Sequence, residues 1–125
     1  MAEMTDKAAM LVRMFTAAGA KPYLMLRGEP CTSKVARLLM PTGNPVMIQT
    51  NCKTPRVWLL PEHERGAFSC VGEIVPYKAW QPRHHHLTQV TEFAGRAMIK
   101  VEVSSERWPD IQRAVETVCS RSVRI

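Results

Sequence analysis

The sequence predicts a single α+β domain spanning residues 1–125, with a mainly antiparallel sheet of four to six strands, an N-terminal helix and a C-terminal helix. Three observations carry this. An apolar run of helix formers opens the chain, short segments punctuated by Pro, Gly and Asn fill its middle, and apolar residues at helical spacing close it.

The first helix is expected from about Thr5 to Ala18, where Ala8, Ala9, Met10, Leu11, Val12, Met14 and Phe15 are interrupted by Lys7, Arg13 and Thr16. Thr5 or Asp6 accepts from the first unpaired amides, and Gly19 with Pro22 supplies the stop. The polar stripe is narrow, so most of the circumference is expected to be covered, by the core or by another chain. Met4, Met10 and Met14 fit either plain core filling or an adaptable face for a partner, including a second copy of the chain.

Tyr23 to Arg27, Lys34 to Met40, Val46 to Asn51, Arg56 to Leu60, Val71 to Tyr77 and Ala97 to Val103 are the candidate strands. The clearest pairing is Lys34–Met40 with Val46–Asn51. Between them lies Pro41-Thr42-Gly43-Asn44-Pro45, whose Gly and Asn tolerate positive φ. Nine prolines spread along the chain argue against a long helical bundle. His85 to Ala94 reads equally as a short helix or a loop. In the last third Trp108, Ile111, Ala114, Val115, Val118 and Cys119 line one helical face. Ser104 or Ser105 is the expected cap, Pro109 belongs in the first turn, and Arg121 suits the carboxyl end of the dipole.

Composition narrows the function classes. Hydrophobic residues at 46% against 22% charged residues supply one core and exclude wholesale disorder. The longest apolar run, Ala8 to Val12, is far short of the roughly 20 residues of a bilayer-spanning helix, so no membrane association is expected. Two acids, Glu3 and Asp6, precede any apolar stretch, unlike a secretory signal, and the expected location is cytoplasmic. Cys31, Cys52, Cys70 and Cys119 show no C-x-x-C spacing and are expected to be reduced, mostly buried thiols. A net charge of +6 and a pI near 9.5 favour anionic partners.

The densest chemistry lies in Tyr77-Lys78-Ala79-Trp80-Gln81-Pro82-Arg83-His84-His85-His86. Cations neutralise phosphates and release counterions, while an indole or phenol face stacks on an unpaired base. Tyr77, Lys78, Trp80, Arg83, His84, His85 and His86 are therefore the candidate nucleic-acid or anion-binding residues. Protonation of the histidines below a pKa near roughly 6.5 adds charge beside Arg83. The alternative is that Tyr77 and Trp80 are core residues at a strand end and the remainder is a solvated loop.

Other chemistries are less well supported. Adjacent histidines diverge, and no two close ligand pairs are present among His63, the histidine run and the cysteines, so no metal or other cofactor is expected. Ser69-Cys70-Val71-Gly72 lacks a nucleophile-elbow pattern, and Glu62, Glu64, Glu73 and Glu92 define no acid–base pair. Neither a P-loop nor G-x-G-x-x-G occurs. The expected function is therefore non-catalytic binding to nucleic acid or a nucleoprotein assembly. The alternative is an accessory or inhibitor that docks on an acidic surface of a larger protein, anchored by the Met-rich helix or the Trp80 loop.

Overall fold

The computed structural model describes residues 5–23, 32, 34–81, 90 and 92–120. Helix α1 (Asp6–Ala17) is capped by Thr5, whose hydroxyl accepts from the Ala8 amide at 3.2 Å. Its other end is a Schellman closure: Gly19, at φ 103°, donates to Thr16, and Ala20 donates to Phe15. Six strands follow: β1 (Lys21–Pro22), β2 (Val35–Leu39), β3 (Pro45–Gln49), β4 (Arg56–Leu59), β5 (Glu73–Tyr77) and β6 (Met98–Glu102). A one-turn helix α2 (Pro61–Glu64) lies between β4 and β5, and α3 (Trp108–Ser120) follows β6.

The strands form one antiparallel sheet in the order β1-β2-β3-β4-β6-β5. The expected hairpin is β2–β3, with Leu39 opposite Pro45 and Gly43 at φ 89°. Pro45 opens β3 as its first residue, a strand position where proline is tolerated. Among the described residues the first strand covers Lys21–Pro22, just ahead of the expected Tyr23–Arg27, and the Tyr23 amide donates to the Arg37 carbonyl. Positions 24–27 lie outside the described residues.

Side chains alternate between the two faces along each strand. Ala36, Leu38, Val46, Ile48, Val57, Leu59 and Val101 face the layer formed by α1 and α3, where Leu11, Phe15, Ile111, Val115 and Val118 complete the core. Val35, Met47, Trp58 and Met98 point the other way and are covered by Leu60, Val90 and Phe93. Because both faces are covered, β3 is buried along its whole length, where a sheet covered on one side alternates in exposure.

Two features of α1 and α2 differ from expectation. Only Ala8, Leu11 and Phe15 are fully buried in α1; Val12 and Met14 are partly buried against the core and Met10 is exposed, because the sheet and α3 cover only part of the helix. Helix α2 has no counterpart in the sequence reading, since one turn generates no periodicity. It begins with proline, which has no amide to leave unpaired, and its Glu64 carboxylate accepts from the Gly66 and Phe68 amides at 2.7 and 2.9 Å. Residues 60–72 carry the chain past β6, and Phe68 and Val71 enter the helical core on the way. Gly72 ends this crossing against the carbonyl oxygen of Glu102, where a Cβ would collide with the backbone.

Helix α3 has Pro109 in its first turn, and the Ser105 hydroxyl accepts from the Arg107 amide at 3.0 Å just before it. Arg121 lies outside the described residues. Among the described residues the thiols are not mostly buried. Cys119 is buried, Cys52 is half-buried and Cys70 is exposed, because Phe68 takes the core position in that turn segment; Cys31 lies outside the described residues. Burial pushes the Cys119 thiol up to about 11. Among the described residues no helix is long and apolar enough to cross a membrane.

Candidate nucleic-acid interface

Strands β5 and β6 are antiparallel neighbours, and Tyr77 pairs directly with Met98. Such neighbours usually close with roughly two to five residues. Here residues 78–97 make the connection, several times that length.

The connection starts with a reciprocal clasp. The Gln81 amide donates to the Lys78 carbonyl at 3.0 Å, and the Lys78 amide donates to the Gln81 side-chain oxygen at 3.1 Å. This turn places Ala79 and Trp80 at its tip. Trp80 is 77% exposed, and the Lys78 ammonium stands 5.8 Å from the centroid of its ring. Further along, Val90 and Phe93 pack beneath the sheet on its second face, and Arg96 reaches Glu62 of α2 at 3.2 Å. One end of the connection therefore projects, and the other is fastened down.

Tyr77 behaves differently from its neighbours in the sequence. It belongs to β5, in phase with Val75, and its ring lies 4.9 Å from that of Trp58 with a 55° tilt. The Lys100 ammonium sits 5.9 Å from the Trp58 ring and 5.5 Å from the Tyr77 ring, and Glu102 links Lys100 at 3.9 Å with Arg56 at 3.3 Å. The Trp58 indole donates to Gln49 at 2.6 Å. Tyr77 thus forms part of the packed second face, while Lys78 and Trp80 come together on the projecting turn. Arg83, His84, His85 and His86 lie outside the described residues.

The sequence reading did not single out Trp58, Gln49 or Lys100. Cross-strand register was the missing signal: it sets Met47 beside Trp58 and Trp58 beside Lys100, and no local pattern encodes that pairing.

His63 is held below its ordinary value near 6.5, chiefly by burial; Glu62 opposes that shift, while Arg96 and Arg65 add to it. Its Nδ1 is buried without a hydrogen-bond partner. Among the described residues no three His, Cys, Asp or Glu side chains converge on a common point for a metal ion. Cys70 borders a shallow groove of about 200 Å³ with Asp110, Arg113 and Thr117, and no histidine lines it. A second groove, about 290 Å³, runs between α1 and α3 along Met10, Met14, Ala17 and Gln112.

No protein-family model, curated protein or solved structure matches this chain.

Proposed function

We propose that the protein is a non-catalytic binding domain that engages nucleic acid, alone or within a nucleoprotein assembly, through the projecting turn of the β5–β6 connection. The observation that carries this is a large aromatic ring left 77% exposed beside a lysine on a chain of net charge +6. An exposed indole has little value for folding, since burial is what makes an aromatic side chain stabilising. At a contact surface it supplies a rigid, sequence-tolerant platform, and the nearby cation supplies phosphate attraction. In sequence the Arg83–His86 run follows the turn after Pro82 and extends the same positive character. A cytoplasmic setting belongs to the same proposal.

The test is a fluorescence-anisotropy titration with labelled oligonucleotides at two salt concentrations. Binding is expected at low salt and should weaken steeply as salt rises, because released counterions drive it. Absence of binding at low salt refutes the proposal.

A second reading draws on the α1–α3 groove, where Met10 is exposed beside Met14. Flexible thioethers of this kind suit an apolar anchor, either on an acidic partner protein or against a second copy of this chain. Light scattering on the purified protein separates the self-associating form of this reading from a monomer.

A further inference from the structure

Trp80 occupies the third position of the Lys78–Gln81 turn, with the Lys78 ammonium over its ring at 5.8 Å from the centroid. A cation drawn to the π-density of an indole takes one ring face and leaves the opposite one for another partner. Tyr77 cannot serve as a second platform, because its ring is packed on Trp58 under Lys100. The turn thus offers a single stacking surface. Gln81, which follows Trp80, has its side-chain amide oxygen engaged by the Lys78 backbone amide.

The form of nucleic acid matters at such a surface. In a duplex each base face is already covered by its neighbours, whereas an unpaired base presents a whole face to an aromatic ring. We infer that one unpaired base stacks on the face of Trp80 opposite Lys78, so that the protein selects single-stranded over double-stranded nucleic acid without reading base identity. This rests on the nucleic-acid reading of the same turn and adds the class of strand that it takes. Lys78 contributes in two ways: its charge attracts the polyanion, and its position over the ring fixes which face is presented.

Three probes of equal length separate the contributions: a mixed-sequence single strand, its duplex, and an abasic strand that keeps the phosphates but lacks bases. The single strand is expected to bind roughly five- to 150-fold more tightly than the abasic strand, the range given by stacking one base. It should also bind more tightly than the duplex. Trp80→Ala should bring the single strand to the abasic level, and Trp80→Phe, which keeps a smaller ring, should retain part of the preference. Circular dichroism melting confirms that both variants fold.

If the three probes bind equally and Trp80→Ala changes nothing, the inference fails while binding to nucleic acid stands. Tighter binding to the duplex also overturns it. If no probe binds at low salt, the underlying reading fails with it. Vesicles of anionic lipid serve as a control: capture by vesicles alone, abolished by Trp80→Ala, would assign the indole to a membrane surface and overturn both.

Discussion

Two lysine–tryptophan pairs in this molecule have almost the same separation and opposite surroundings. Lys100 lies 5.9 Å from the ring of Trp58, and Lys78 lies 5.8 Å from the ring of Trp80. Trp58 is 2% exposed, bonds its N–H to Gln49 and touches Tyr77, and its lysine is paired with Glu102. Trp80 is 77% exposed at the tip of a turn. The same cation–ring contact therefore closes a core in one place and dresses a surface in the other. Its energetic meaning comes from what surrounds it, since such contacts strengthen as water is removed.

The difference can be broken by mutation. Trp58→Ala should cost about 3–5 kcal/mol, because it opens a cavity on the second face and strands the buried Gln49 side chain. Trp80→Ala should stay within about 0.5 kcal/mol of the parent, as surface substitutions do. Chemical denaturation of the two variants side by side measures both. A large loss from Trp80→Ala would show that its ring is part of the fold, and would remove the contrast.

A smaller effect probes the fastened end of the same connection, where Arg96 meets Glu62 beside His63. Burial disfavours the charged imidazole, so the folded protein binds a proton there less readily than the unfolded chain. The stability that neutral His63 contributes is present above its ordinary value near 6.5 and is lost as pH falls from there through its lowered folded value. His63→Gln should therefore flatten the fall in melting temperature between neutral pH and about pH 5.5. Identical pH profiles for the parent and the variant would show that His63 is solvated in both states.

Much of the fold is legible in sequence where the signal is local. Thr5 and Gly19 bracket α1, Gly43 turns the β2–β3 hairpin, and the spacing from Trp108 to Cys119 gives α3. These are decided by dihedral preference and periodicity within a few residues. The second face is not legible in the same way. Val57-Trp58-Leu59-Leu60 is apolar throughout, so it reveals burial without revealing which side Trp58 takes or that Val90 and Phe93 cover it. That choice depends on register across strands far apart in sequence.

The candidate window was legible as chemistry and not as geometry. Tyr77 and Trp80 are three residues apart and equally aromatic, yet the strand phase turns Tyr77 toward Trp58, while the Gln81 clasp carries Trp80 outward. Strand phase and the two hydrogen bonds of the clasp, neither of which composition records, accompany the separation of core from surface.

The most direct measurement follows the indole N–H signals of the chain's three tryptophans by NMR as a single-stranded oligonucleotide is added to isotope-labelled protein. The Trp80 signal is expected to shift, together with the backbone amides of Lys78 to Gln81, while Trp58 stays fixed by its bond to Gln49 and Trp108 is unaffected. An unmoved Trp80 signal in the presence of bound oligonucleotide, or movement confined to Trp58 or Trp108, would contradict the assignment of the turn as the contact surface.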